Sequence, residues 1–222
     1  MIQKYKDSLE LVTGDIEKSG QKNVKLLIVS KAQTCESINQ VYKLGYKIFG
    51  ENYLQEAKNK ITELKLDDIE WHFIGRIQSN KIKEIVRLFD WIQTVCTEKH
   101  LRMIDEFSRE INKNTNICLQ INIDKEESKS GLYEEELEKL LKRSIEYKNI
   151  NVRGIMAIPS KDNLDNRNYQ SYELMRKYFE DLKGRYKHLD TLSIGMSNDY
   201  KIALAHGSNL IRIGSLIFGE RK

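Results

Sequence analysis

Eight short runs rich in β-branched and aromatic residues recur along the chain: 24–30 (VKLLIVS), 47–51 (KIFGE), 69–75 (IEWHFIG), 91–95 (WIQTV), 116–122 (NICLQIN), 151–158 (NVRGIMAI), 191–196 (TLSIGM) and 210–214 (LIRIG). Between them lie longer stretches of good helix formers, such as YLQEAKNKITEL and YEEELEKLLKRSIEY, with few interruptions and glycine stops. Connections this short suit parallel βα units rather than hairpin stacks. Eight strands, each followed by a helix, predict a single TIM-type (β/α)8 barrel. An open doubly wound sheet would want fewer strands or a phosphate fingerprint at its first turn, and neither GxGxxG nor GxxxxGK[ST] occurs. The amphipathic start, MIQKYKDSLELVTGDI, predicts a helix over about residues 1–20, ahead of the first strand.

With 222 residues and 40% hydrophobic content, the chain can bury one sizeable core, so one domain over 1–222 is expected. Its 37 Lys+Arg and 33 Asp+Glu are interleaved along helical segments, the pattern of a solvated surface rather than a nucleic-acid stripe. No stretch approaches 18 consecutive apolar residues and acids interrupt the N-terminus, so neither a membrane span nor a signal peptide is expected, and the protein reads as cytoplasmic. Cys35, Cys96 and Cys118 are odd in number and lack a CxxC, while His72, His100, His188 and His206 are scattered; no disulfide framework and no metal site is expected.

In such a barrel, chemistry belongs at the C-terminal ends of the strands. Lys31 follows the first strand directly; position alone suits a solvated loop lysine, but a partly desolvated amine there would be a nucleophile for an aldehyde. SIGMSND ends a strand near Ser197 and opens a helix at Asn198 and Asp199, whose free amides with the Ser197 hydroxyl would seat an anion; capping is the commoner task of such a serine. Arg212 stands inside a β-branched strand and needs a partner, and Gly214 and Ser215 after it form a bare turn that a phosphate can approach. Other strand ends add Glu51, Asn52 and Tyr53, then His72, Gly75, Arg76, Gln78, Asn80 and Lys81, and Met156. Taken singly these read as packing or capping groups, with His72 a hydrogen-bonded core histidine and Met156 a core filler.

Together, VSK, GENYLQE, WHFIGRIQSNK, SKSGL, GIMAIP, LSIGMSND and IRIGSLIFGER, in that order over nearly the whole chain, resemble the pyridoxal phosphate homeostasis proteins, relatives of the barrel half of alanine racemases. The resemblance implies pyridoxal 5'-phosphate (PLP) as cofactor, held as a Schiff base on Lys31. It implies phosphate contacts from Ser197, Gly214 and Ser215, Arg212 beside the ring nitrogen or the phosphate, and Asn52 and Met196 lining the pocket. Where the family commonly has SKTKP this chain has SKAQT, which alters the first loop but not the lysine. The racemase relatives use a second base, a tyrosine from an additional domain; the chain stops at Lys222, so no such domain is expected, and Tyr53 reads better as packing or capping than as a substitute. An arginine at the ring nitrogen would also weaken the ring as an electron sink. A PLP carrier in vitamin B6 homeostasis without robust turnover is therefore expected, monomeric, with apo PLP enzymes as recipients implied by the family. The alternatives are an amino-acid racemase or lyase at the same site, and a phosphate-sugar barrel enzyme that leaves Lys31 without a task.

Overall fold

The computed structural model describes residues 2–219. Every predicted run forms a strand: β1 (Lys25–Val29), β2 (Ile48–Glu51), β3 (Glu70–Phe73), β4 (Trp91–Val95), β5 (Thr115–Ile121), β6 (Ile150–Ala157), β7 (Thr191–Met196) and β8 (Leu210–Ile213). Neighbours in sequence pair in parallel, and β8 returns to β1, with Lys25 opposite Leu210 and Ile28 opposite Ile213, so the sheet closes. The helices are α1 (Ile2–Lys18), α2 (Cys35–Lys43), α3 (Leu54–Leu64), α4 (Ile82–Leu88), α5 (Glu98–Glu110), α6 (Glu134–Ser144), α7 (Lys161–Asp165), α8 (Gln170–Arg185), α9 (Tyr200–Ala205) and α10 (Ser215–Phe218).

Successive strand side chains point to opposite faces, so each strand serves two cores. Ile28, Phe49, Phe73, Ile92, Leu119, Ile155, Ile194 and Ile211 belong to one continuous apolar cluster shared with the helices. Burying an aliphatic or phenyl side chain of this kind is worth about 1.5–3 kcal/mol, which makes this outer layer the main source of stability. The alternate residues face inward. There Trp91, Cys118 and Met156 form a small separate cluster, and the fully or almost fully buried Leu27, His72, Gln93, Ser193, Leu210 and Arg212 lie on the same face. Space inside is tight: a Cβ on Gly154 would lie 1.7 Å from the Thr191 carbonyl oxygen, so only glycine fits between those strands.

The two ends of the barrel differ. At the N-terminal end Trp91 stacks on His72, with ring centroids 5.1 Å apart and 9° between planes, while Lys25 and Arg153 sit 5.2 and 5.0 Å from its ring centroid. Asp190 holds Arg153 in place, so this end is plugged by an aromatic ring between cations. α1 covers the β8–β1 seam region from outside: Tyr5, Leu9 and Val12 are its buried stripe, and Tyr5 meets Phe218 of α10 edge-on at 5.5 Å and donates to Ser37 Oγ of α2 at 3.1 Å. Lys25 and Lys31 mark opposite ends of the same inward face of β1.

Candidate functional site

Lys31 follows β1 in a turn closed by the Gln33 amide donating to the Ser30 carbonyl at 3.0 Å, and Ala32 takes a left-handed backbone at φ 62°. That conformation costs an alanine roughly 1 kcal/mol, so something must hold it. The holder lies behind the turn. Lys60 of α3, 5% exposed, donates to the Ser30 carbonyl at 2.7 Å, Glu51 Oε1 at 2.8 Å and Glu56 Oε1 at 2.5 Å. Ser30 Oγ donates to Glu51 Oε1 at 2.6 Å, and the Ala32 amide to Glu56 Oε1 at 2.6 Å. Residues on both sides of Lys31 are thus tied to one buried ionic cluster. Burial raises the pKa of Glu51, against the opposing pull of Lys60 and Ser30.

A cavity of about 320 Å³ opens at the C-terminal end of the barrel, and Lys31, Asn52, Met196, Ser197, Arg212, Gly214 and Ser215 all line it. The structure therefore brings the seven residues anticipated from sequence to one place. It corrects the source of the anion seat. The helix after Ser197 begins only at Tyr200, and the amides that reach Ser197 Oγ come from the turn after the neighbouring strand β8, Gly214 N and Leu216 N, each at 3.3 Å. Asp199 turns its carboxylate to the Met196 amide at 2.6 Å and the Tyr172 hydroxyl at 2.6 Å, locking the turn that carries Ser197. Two amides and a hydroxyl converging in this way suit the oxygens of a phosphate.

Arg212 is 3% exposed, and its partners are neutral: Nη1 donates to Ser193 O at 2.8 Å and Ser193 Oγ at 2.7 Å, and Nη2 to Ala157 O at 2.9 Å. Burial lowers its pKa to about 10, with Asp199 pulling the other way, so it remains a cation at neutral pH. Asn52 presents a buried side-chain oxygen with no hydrogen-bond partner in the protein, a group that a ligand can satisfy. Gly75 lets the backbone of Asn52 come this close, since a Cβ there would lie 1.9 Å from Asn52 O. Gln33, Pro159, Lys161 and Asp199 also line the cavity.

Several other sequence candidates stand elsewhere. His72 is a buried core histidine, as its strand position suggested, and Met156 is buried while its edge touches the cavity. Tyr53 is 60% exposed, occupies the N-cap position of α3 without a side-chain bond, and is not among the residues lining the cavity. Arg76 lines a smaller adjoining cavity with Lys129 and Asn122. Among the described residues no cluster of three His, Cys, Asp or Glu could hold a metal, and no helix is long and apolar enough to cross a membrane. Sequence reasoning missed Lys60, whose helical context reads as solvated surface, and it passed over Gln93 and Ser193. The last two did carry a signal, as polar residues inside otherwise apolar β runs.

The closed parallel barrel is the fold of the alanine racemase N-terminal domain, and the sequence profile of that domain matches residues 15–222. The relatives are more specific. The pyridoxal phosphate homeostasis protein of Escherichia coli (strain K12) is 41% identical over 202 residues, 89% of this chain and 86% of that one. The protein of the same description from Haemophilus influenzae is 40% identical over 210 residues, covering 92% and 88%. The chain belongs to the pyridoxal phosphate homeostasis protein family. Among solved structures, PipY of Synechococcus elongatus superposes with a TM-score of 0.89 at 30% identity, covering 96% of this chain and 99% of that one, and has also been solved with PLP bound. Alanine racemase of Clostridium difficile shares the fold alone, with a TM-score of 0.76 at 12% identity over 60% of its length.

Proposed function

We propose that the chain binds pyridoxal 5'-phosphate and serves its homeostasis as a carrier, with Lys31 holding the aldehyde carbon covalently. The observation that carries this reading is the sharing of one 320 Å³ cavity by Lys31, Ser197, Gly214 and Ser215, with the Gly214 amide drawn to Ser197 Oγ. The residues present fit the cofactor: Ser197 Oγ with the Gly214–Ser215 turn for the phosphate, Asn52 Oδ1 to accept from a ring substituent that donates a proton, and Arg212 for the far side of the ring. When bound, the cofactor supplies an electrophilic aldehyde conjugated to an electron-withdrawing ring.

The residues around it favour holding over turnover. Arg212, a cation at neutral pH, disfavours protonation of a ring nitrogen beside it. Asp199, the carboxylate in the wall, is occupied by Met196 N and the Tyr172 hydroxyl. Tyr53 is 60% exposed and does not line the cavity, so it is not placed to act as a second base. Apo PLP enzymes as recipients, and a monomeric carrier, complete the reading.

The test is chemical. Purified protein mixed with PLP should turn yellow, borohydride should fix the cofactor on the peptide containing Lys31, and Lys31→Ala should abolish the fixation. Protein that takes up no PLP, or carries the label elsewhere, overturns the proposal. A racemase or lyase reading would instead require amino-acid turnover above about 1 per second, the low end for enzymes, in stereochemical assays.

A further inference from the structure

A line of hydrogen bonds crosses the barrel interior from the cavity to the plugged end. Arg212 Nη1 donates to Ser193 Oγ at 2.7 Å, and Ser193 Oγ to Gln93 Oε1 at 2.7 Å. Gln93 Nε2 lies 2.8 Å from His72 Nδ1, and His72 Nε2 lies 2.8 Å from Glu70 Oε1. Ser193, Gln93 and His72 are fully buried, and neither Gln93 nor His72 lines the cavity or its smaller neighbour.

With His72 neutral, the protons on this line can be ordered in only one way. An arginine only donates and a carboxylate only accepts. Ser193 must therefore accept from Arg212 and give its proton to Gln93 Oε1. The Gln93 amide then presents its NH2 to His72 Nδ1, and the imidazole carries its proton on Nε2, toward Glu70. Burial lowers the His72 pKa against the pull of Glu70, which keeps the ring neutral and this order intact. Turning over the Gln93 amide would set two donors or two acceptors face to face in a dry interior, at a cost comparable to a lost buried hydrogen bond.

We propose that His72 and Gln93 are positioning residues for Arg212: through Ser193 they fix the rotation of the guanidinium, so that its N–H groups not spent on Ser193 and Ala157 face the cavity. This rests on the cofactor reading above, in which those N–H groups meet the bound ring. Three of the five N–H groups are accounted for by Ser193 and Ala157, which leaves two directions for a ligand. An apolar residue in place of Gln93 would leave the Ser193 hydroxyl proton without its acceptor, free to compete for Ser193's own contacts with Arg212.

Two measurements test this. Nitrogen NMR of histidine-labelled protein without ligand should show His72 neutral with its proton on Nε2 at neutral pH; a proton on Nδ1, or a charged ring, overturns the order. The second is a pair of double-mutant cycles on the dissociation constant for PLP. Gln93→Met should weaken binding about tenfold, the loss expected for one buried hydrogen bond. Combined with Arg212→Lys it should add little, because the device acts only through Arg212; combined with Ser197→Ala the two losses should multiply. Multiplicative losses with Arg212→Lys would show that Gln93 is a packing residue and refute the proposal. If Gln93→Met fails to fold, His72→Gln takes its place in the same cycles. Wild-type protein that takes up no PLP would refute the cofactor reading and with it this role of Arg212, whereas the histidine measurement judges the proton order on its own.

Discussion

Replacing Lys60 by methionine separates the ionic cluster under Lys31 from ordinary packing. In the native chain Lys60 is the cation that Glu51 contacts, and Glu51 is fully buried with its Oε2 already lacking a partner. Methionine fills similar volume and leaves Glu51 with the Ser30 hydroxyl alone. Breaking a buried pair from one side costs about 3–5 kcal/mol. Protonation offers Glu51 an escape and sets a ceiling: from a free glutamate pKa of roughly 4.3 to pH 7 is about 2.7 units at about 1.4 kcal/mol each, close to 3.7 kcal/mol. A loss of this size lowers the melting temperature of a chain of this length by about 8–15 °C. The sign of the pH dependence follows. Glu51 in the folded variant holds a proton that the unfolded chain has released, so stability falls as pH rises above the unfolded value, and the deficit against wild type shrinks as pH drops toward about 4.5. Urea unfolding at pH 7.5 and pH 5, with Glu51→Gln added as second substitution, measures both. The double variant should regain most of the loss, since both partners are then neutral. A Lys60→Met deficit under about 1 kcal/mol, a deficit unchanged by pH, or no recovery with Glu51→Gln would refute this account.

Two further substitutions read the mouth of the cavity. Gly75→Ala places a Cβ 1.9 Å from the Asn52 carbonyl oxygen, so β2 and β3 must part; unfolding should show a loss of about 1–3 kcal/mol, and PLP should bind more weakly because Asn52 moves. Asp124→Ala removes the acceptor for the Ser160 amide at 2.7 Å and Asn163 Nδ2 at 2.8 Å, so hydrogen exchange at Ser160 should speed up, while exchange in the β8 strand should not change.

The barrel was legible because strands buried on both faces leave near-continuous apolar runs, and eight of them with short helical connections admit few topologies. Lys31 was legible in its place, though its aim depends on alternation: Leu27, Val29 and Lys31 share the inward face of β1. The donors of the anion seat were half legible. Ser197 and Gly214 stood out as motifs, but the amides that meet Ser197 lie 17 and 19 residues away in sequence, a contact that the pairing of β7 with β8 creates. Lys60 was illegible for a different reason. A lysine in YLQEAKNK reads by residue type as solvated surface although its spacing from Leu54 and Ala57 sets it on the buried stripe, and nothing local reveals that a buried glutamate on the outward face of β2 waits for it.

The register of Lys25 with Leu210 makes the last strand the neighbour of the first, so the lysine and the anion seat lie on opposite sides of the closing joint. A nascent chain that has not yet delivered β8 owns a lysine without a seat. A small molecule bridging the two acts as a clasp on the finished ring, and at a hundredfold excess over its dissociation constant it adds about 2.7 kcal/mol against opening. The last pairing of the barrel and the completion of the pocket are therefore one event, since the pocket draws on residues that follow both β1 and β8.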